Sequence, residues 1–302
     1  MGIRFHRPII GKRWILPGVV IIPLLLAGFV LVRSNQTVTL VLGGDLMLAR
    51  EGDPILTSAD SFGDAATVIQ NADLAMANLE SPLTTACYVA RDIPGYDLCA
   101  DASAITNLKS AGFDGFSIAN NHALDCGGGG AEETSSQLAA AGLFAAGGGQ
   151  DPVILKVKGQ RLAFLAYEDV LQPLDLDSVL EEVKQARPLA DILIVSLHWG
   201  NEYQAGPDRW QQELAQRLAD AGVDVIWGHH PHVLQPMQWL KSSDSHHETL
   251  VIYSLGNLYS DQFMLTDARR TALVKLEVKH AKIAAVEVYP LTLSVDTGGL
   301  VY

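Results

Sequence analysis

The feature that most restricts the fold of this chain is a series of short apolar segments that alternate with helical ones. Segments 74–77, 192–197 and 250–255 carry no charged side chain and are bounded by turn residues. Such short strands between helices are typical of a sheet buried on both faces, so the sequence predicts an α/β domain. Two closing segments, 271–279 and 283–291, predict an antiparallel pair, either in the same sheet or in a second one.

The other predicted elements keep this alternation. Further strands are expected at 37–42, 113–119, 153–157, 161–167 and 223–227, the third and fourth as a hairpin around Gly159. Helices are expected at 62–71, 102–111, 130–141, 178–187 and 208–221.

An apolar run near the N-terminus predicts a membrane anchor. Residues 14–32 carry no ionisable side chain, and as a helix their 19 residues would rise about 28 Å, close to the hydrocarbon thickness of a bilayer. Four basic residues precede the run and one follows it closely, so residues 1–13 are expected in the cytoplasm and the rest outside. A cleaved signal peptide is the alternative. The expected organisation is an anchor at 14–32, a domain at 37–291 and a tail at 292–302.

The charge balance excludes one class of partner. The chain carries a net charge of −13, but residues 1–33 hold five basic and no acidic side chains, which leaves 16 basic against 34 acidic, or −18, for the remainder. A domain this acidic lacks the basic surface that nucleic-acid binding requires. The simplest interpretation of the acidity is a solubilising surface.

Polar side chains follow six of the predicted strands at the point where each strand ends. Ligands bind at the carboxyl ends of strands in open α/β sheets, and imidazole, carboxylate and amide groups together favour Mn, Fe, Zn or Mg. Singly, each residue is ordinary as a helix cap or turn residue, but together they predict a metal site. The residues are Asp45, Asn78, Glu80, Asn120, Asn121, His122, His198, His229, His230, His232 and Asn257.

Three histidine positions allow more specific expectations. In an extended segment, residues i and i+2 point the same way, so the rings of His230 and His232 can reach one cluster. Asp125 follows His122 by three residues, where it either orients the ring or caps the helix predicted from 130. His246 and His247 follow no apolar strand and are predicted to be surface groups.

The three cysteines, Cys87, Cys99 and Cys126, allow three pairings with one thiol left over. Cys87 and Cys99 flank a loop that contains Pro94 and Gly95, which favours their pairing. Cys126 is then expected to be a buried free thiol.

Six segments in order resemble the CapA-like capsule (poly-γ-glutamate) synthesis family, within the calcineurin-like metallophosphoesterase superfamily. The resemblance covers about residues 37–291 and implies a layered β-sandwich flanked by helices, preceded by one transmembrane helix. The segments are GDLM at 44–47, ANLESP at 77–82, ANNHALD at 119–125, LHWGNEY at 197–203, GHHPHV at 228–233 and YSLGN at 253–257.

The resemblance also assigns roles. It implies metal ligands at Asp45, Glu80, Asn121, His198, His230 and His232, with His229 as an alternative to His230, and a catalytic His122 assisted by Asp125. The superfamily's first motif has a histidine where this chain has Met47, so one metal site lacks its usual imidazole. Candidates for supporting or ligand contacts are Arg50, for an anionic ligand, and Glu202, as a replacement carboxylate, together with Asn78, Asn120, His229 and Asn257.

Two functions are compatible with these assignments. The first is a divalent-metal-dependent phosphoesterase that acts outside the cytoplasm on a cell-envelope polymer or phosphoester. The second is a non-catalytic scaffold or export component of capsule or polyglutamate synthesis machinery. In both, the expected partners are the membrane and that machinery.

Overall fold

The computed structural model describes residues 36–50, 53–85, 97–149, 152–295 and 299–302. The anchor predicted at 14–32 lies outside these ranges. Within them, no helix is long and apolar enough to cross a bilayer. Residues 35–302 form one compact unit.

The first sheet has a parallel centre and an antiparallel side. Its strands run in the order β18-β17-β16-β1-β4-β7-β8, with β15 pairing along the end of β1. Strands β1, β4, β7 and β8 are parallel, whereas β16, β17 and β18 add antiparallel pairs. The bounds are β1 Val38–Leu46, β4 Leu74–Leu79, β7 Gly115–Ser117, β8 Phe144–Ala146, β15 Asn257–Tyr259, β16 Arg270–Lys279, β17 Lys282–Leu293 and β18 Leu300–Val301.

The second sheet also has a parallel centre, but it has an antiparallel strand at each of its two edges. Its order is β13-β14-β12-β11-β10-β9, and the four inner strands are parallel. The bounds are β9 Val153–Val157, β10 Gln160–Glu168, β11 Ile192–His198, β12 Val225–His229, β13 Met237–Lys241 and β14 Glu248–Ile252. The remaining strands form two short two-stranded sheets. One pairs β2 Ala49–Arg50 with β3 Asp53–Pro54, and the other pairs β5 Leu83–Thr84 with β6 Ala100–Asp101.

Helices cover the outer face of each sheet. They are α1 Ala65–Gln70, α2 Ile105–Ala111, α3 Gly130–Ala140, α4 Leu176–Ala186 and α5 Arg209–Asp220. The first three share an apolar core with the first sheet, and α4 and α5 with the second. Helix α5 begins at a capping box formed by Asp208 and Gln211, which satisfies amides that the first turn leaves open.

The two sheets pack face to face through the alternate side chains of their strands. Leu40 and Leu42 of β1 share one buried cluster with Ile192 and Ile194 of β11. Between them, Val41 packs with the helices on the first sheet, and Leu193 packs with α4 and α5 on the second. The layers are therefore helix, sheet, sheet and helix, which confirms the predicted α/β class.

Most predicted strands and helices are present, with boundaries shifted by a few residues. Helix α1 begins three residues late because a short 3₁₀ helix, Ala59–Phe62, precedes it. Strands β8 and β13 were not predicted. The segment 292–302, expected as a tail, contributes β18, which pairs with Thr292 and Leu293 of β17.

Candidate metal centre

The predicted polar residues meet where the parallel strands of both sheets end. Asp45 lies near the end of β1, in register with Asn78 of β4 and Asn257 of β15. In the second sheet, His198 and His229 pair as the last residues of β11 and β12. The strand ends of the two sheets are in contact, since the Asn78 amide nitrogen lies 3.4 Å from Nδ1 of His198.

A close approach of two backbones fixes the position of Asp45. Its amide donates to the carbonyl of Gly256 at 2.9 Å. A Cβ on the preceding Gly44 would lie only 1.9 Å from that oxygen, so no larger residue fits at position 44 without displacing the loop.

Glu80 lies at the centre of the cluster and is fully buried. Its Oε1 is 3.6 Å from Nε2 of His198, 3.6 Å from Nε2 of His232 and 3.9 Å from Nε2 of His122. These separations exceed hydrogen-bond distance, and neither carboxylate oxygen has a hydrogen-bond partner.

Asp45 is held from several sides. Its Oδ1 accepts from the Asn78 amide at 2.8 Å and lies 3.3 Å from Nδ1 of His229. Its Oδ2 accepts from the His230 backbone amide at 3.3 Å and lies 3.3 Å from Nδ1 of His232. Asn257 contacts the same His232 nitrogen at 3.0 Å. Asn78, His229 and Asn257 thus contact Asp45 or His232, the positions from which residues around a metal site orient its ligands.

His230 and His232 reach the cluster by a different backbone path from the expected extended one. Both occupy the left-handed region, with φ of 92° and 57°, so the expectation of an extended segment is wrong. Their ring centroids nevertheless lie 5.7 Å apart. Two non-glycine residues in this region cost roughly 1–3 kcal/mol each, and such strain concentrates at functional sites.

The unpaired polar atoms of the cluster test whether a cation fits. Buried polar atoms without partners are costly and rare, and here they are oxygens and imidazole nitrogens, the donor types that divalent metals bind. Besides the two Glu80 oxygens they include Nε2 of His198 and Nδ1 of His230. Oδ1 of Asn121, the residue before His122, is also buried without a partner. A divalent cation would satisfy them, so the donor set fits the metal.

Three groups of side chains in the described ranges bring their ligand atoms within 4.8 Å of one another. They are Asp45 with Glu80 and His232, Glu80 with His198 and His230, and Glu202 with His230 and His232. Glu80 belongs to two of them and can bridge two ions. His229, the alternative to His230, belongs to none and contacts Asp45 instead.

The protonation of two histidines and of Asp45 suits a cation, whereas His232 would have to lose a proton on binding, because Glu80 and Asp45 outweigh its burial and raise its pKa to about 9. Burial and neighbouring histidines lower the pKa of His198 and His230, the latter to about 4, so both rings are neutral near pH 7 and offer lone pairs. Although burial opposes it, contacts with His229 and His232 keep the pKa of Asp45 well below its usual value. Burial raises the pKa of Glu80 to about 7, and a bound cation would favour its ionised form.

His122 lies beside the ligands and is held by Asp125. Its Nδ1 lies 2.7 Å from Oδ2 of Asp125, which leaves Nε2 directed toward Glu80. Burial lowers the pKa of His122, but Asp125 and Glu80 outweigh burial and raise it above its ordinary value. Asp125 also accepts from the backbone amide of Leu98 at 2.7 Å, so it orients the ring rather than capping α3. Asn120 fixes the same loop by accepting from the His122 amide.

A disulfide closes this loop, and it is not the predicted one. Cys99 pairs with Cys126, so the expected Cys87–Cys99 pair and the expected free thiol at Cys126 are wrong. Cys87 itself lies outside the described residues. The bond joins the segment after β5 to the loop that carries His122 and Asp125, a contact between distant segments that the spacing of three cysteines does not reveal.

Reduction of this bond is expected to destabilise the fold. Opening a 27-residue loop removes a constraint worth about 3–4 kcal/mol in the chain-entropy model, or roughly 6–16 °C in melting temperature for a domain of this size. Thermal melts with and without reductant measure it. The Cys87→Ser variant, which keeps the bond, should melt like the wild type under oxidising conditions. An unchanged melt after complete reduction would contradict the expectation.

A cavity of about 370 Å³ opens above the cluster. Its wall includes His122 and His232 from the centre, together with Met47, Arg50, Leu98, Glu202, Tyr203, Asp261 and Gln262. Arg50 forms two hydrogen bonds with the Asp261 carboxylate, at 2.5 and 2.7 Å, which fix its guanidinium at the wall. The sequence did not single out Tyr203, Asp261 or Gln262, although Asp261 and Gln262 follow the end of β15.

The two histidines predicted as surface groups differ. His246 is exposed, as predicted, whereas His247 is half-buried and its Nε2 lies 2.9 Å from the carbonyl oxygen of Val223. Neither belongs to the cluster at the strand ends.

Comparisons with known proteins place this arrangement in context. A family model described as "Bacterial capsule synthesis protein PGA_cap" matches residues 39–262. The capsule biosynthesis protein CapA of Bacillus anthracis is 29% identical, over 86% of this chain and 69% of its own length. The PGA biosynthesis protein CapA of Bacillus subtilis is 30% identical, over 86% of this chain and 73% of its own length.

Solved structures agree on the fold. A provisionally assigned 5′-nucleotidase of Staphylococcus aureus aligns with a TM-score of 0.52 over 87% of this chain and 57% of its own. Its identity to this chain is 11%, so the likeness shows a metallophosphoesterase-like fold and nothing finer.

Proposed function

Because this chain belongs to the PGA_cap family of bacterial capsule synthesis proteins, with a metallophosphoesterase-like fold, we propose that it is a metal-dependent phosphoester hydrolase of capsule or polyglutamate synthesis. One observation carries the proposal. Buried carboxylate and imidazole atoms without partners converge next to an open cavity, beside a histidine oriented by a carboxylate.

Two overlapping ligand sets would hold the metal. Asp45, Glu80 and His232 form one set, and Glu80, His198 and His230 form the other. Asn121, whose buried oxygen has no partner, is the proposed amide ligand. Divalent ions bound there supply Lewis-acid polarisation of a phosphoryl oxygen and lower the pKa of water. The mixed oxygen and nitrogen donors suit Mn, Fe, Zn or Mg.

The remaining residues of the site handle the proton and the ligand. Asp125 keeps the Nδ1 side of His122 occupied, so a proton held on Nε2 is available to a leaving-group oxygen in the cavity. Arg50, fixed by Asp261 at the wall, lies where it can contact an anionic ligand. Met47, which replaces the superfamily's histidine, lines the same cavity with its thioether.

The proposal includes a location outside the cytoplasm, with residues 14–32 as an uncleaved anchor and the domain beyond it exported. Charge around the apolar run supports this orientation. The Cys99–Cys126 disulfide supports it independently, because disulfides persist in oxidising compartments and are rare in the cytoplasm. Neighbouring capsule or polyglutamate synthesis machinery at the membrane is the proposed partner.

The test uses the purified 302-residue chain, treated with chelator and reloaded with Mn²⁺, Zn²⁺ or Mg²⁺ in turn. We expect it to hydrolyse a chromogenic phosphodiester or phosphomonoester with at least one of these ions, and to lose that activity with chelator. A γ-glutamyl substrate panel in parallel tests peptide-bond cleavage. A metal-loaded chain that cleaves none of these substrates would reject the enzymatic proposal.

The two Bacillus relatives favour a second candidate, because their names refer to biosynthesis of capsule and PGA and not to a hydrolytic reaction. In that case the chain would bind the polymer without cleaving it. Polyglutamate is an anion and residues 34–302 carry −18, so binding through a bridging cation is expected. Polymer binding without ester hydrolysis would favour this scaffold role, and loss of that binding with chelator would show that a cation bridges the two anions.

A further inference from the structure

The exposed carboxylate of Glu202 lies beside two of the metal-binding histidines. Its loop follows β11 and is tied to the histidine loop by two backbone bonds, from the Trp199 amide to the His229 carbonyl at 3.2 Å and from the Tyr203 amide to the Pro231 carbonyl at 2.8 Å. These bonds bring a carboxylate oxygen of Glu202 within 4.8 Å of ligand nitrogens of His230 and His232.

The ligand set around Asp45 leaves room for a further donor. Asp45, Glu80 and His232 offer three protein ligand atoms, so an ion held by them would have at least one position open to water or to another side chain. The nearby Met47 is buried, and its sulfur lies 3.6 Å from a guanidinium nitrogen of Arg50. A thioether is a soft ligand that suits neither Mn²⁺ nor Mg²⁺, so Met47 does not complete this set.

The cavity wall holds a second, half-buried carboxylate that competes for this role. Asp261 is engaged by both hydrogen bonds from Arg50, and it belongs to none of the metal-compatible groups in the described part of the chain. Glu202 belongs to one of those groups and shares His232 with the Asp45 set. Burial and the Glu202 carboxylate together raise the pKa of the neighbouring Tyr203 hydroxyl to about 12.

We infer that Glu202 is a metal ligand of this centre and supplies, from the cavity side, the donor that Met47 does not. The inference rests on the metal site proposed above and adds a ligand to it. A third carboxylate also makes the donor set harder, which favours Mn²⁺ or Mg²⁺ over Zn²⁺.

The experiment titrates Mn²⁺ into metal-free protein by calorimetry, with electron paramagnetic resonance to count bound ions. Glu202→Gln should lose one Mn²⁺ equivalent or bind it at least about tenfold more weakly than the wild type. The control Glu213→Gln removes the same charge from the exposed face of α5, where Glu213 pairs with Arg209, and should bind Mn²⁺ like the wild type. The double variant Met47→His with Glu202→Gln should regain the lost ion, because it restores an imidazole beside Asp45.

Equal Mn²⁺ stoichiometry and affinity in Glu202→Gln and Glu213→Gln would overturn the inference, as would equal losses in both. The titration does not depend on hydrolysis. A wild-type chain that binds Mn²⁺ but cleaves no phosphoester would therefore reject the enzymatic proposal while the result for Glu202 still stands.

Discussion

Replacing His122 with alanine is expected to lower kcat about 10²–10⁴-fold while leaving the bound metal unchanged. The ring lines the cavity, and its Nδ1 is occupied by Asp125, so Nε2 is the atom presented to a leaving group. His122 belongs to none of the metal-compatible groups found in the described residues. Turnover of a chromogenic phosphoester and metal analysis on the same preparation separate these two properties.

The matched control for His122→Ala is His246→Ala, which removes an exposed imidazole far along the chain from the site and should keep wild-type turnover. Asp125→Asn should lower kcat by less than His122→Ala, because the ring remains while its orientation is weakened. Its melting temperature must also be measured, since Asp125 accepts a hydrogen bond from Leu98 as well. Full activity in metal-loaded His122→Ala would remove His122 from the mechanism.

The sequence predicted the central residues of the site because they follow strands. Parallel strands in one sheet end at one edge, so Asp45 and Glu80 had to be near each other once their strands were recognised. His198 and the 229–232 segment follow strands of the second sheet in the same way. That the two edges meet follows from face-to-face packing of the sheets, which the resemblance implied and the strand pattern alone did not.

What the sequence could not predict depends on contacts between loops. The Cys99–Cys126 pair joins residues 27 positions apart across segments that lack regular structure. The left-handed conformations of His230 and His232 have only a weak signal in residue type, since histidine is enriched among non-glycine residues with positive φ but such residues remain uncommon. The place of Glu202 beside these histidines depends on hydrogen bonds of its loop to the histidine loop.

Metal binding is expected to raise the melting temperature of the wild type by roughly 5–10 °C. A ligand at about 100 times its Kd stabilises the native state by about 2.7 kcal/mol, and each kcal/mol shifts the melting temperature of a domain of this size by about 2–4 °C. The structural reason is Glu80, a fully buried carboxylate whose oxygens have no hydrogen-bond partner in the protein. A cation bound by either of the two ligand groups that contain Glu80 would pair with this carboxylate.

Glu80→Gln should abolish that metal-dependent shift. The amide is nearly isosteric but carries no charge, so both ligand sets that share Glu80 lose their common carboxylate. Metal-free Glu80→Gln should melt within a few degrees of the metal-free wild type, because the substitution removes a buried charge that burial already disfavours. Thermal melts of both proteins with chelator and with saturating Mn²⁺ measure the two effects, and Glu213→Gln should keep the full wild-type shift. If Glu80→Gln were stabilised by Mn²⁺ as much as the wild type, the ion would bind elsewhere, and Glu80 would be a buried carboxylate without the bridging role assigned to it.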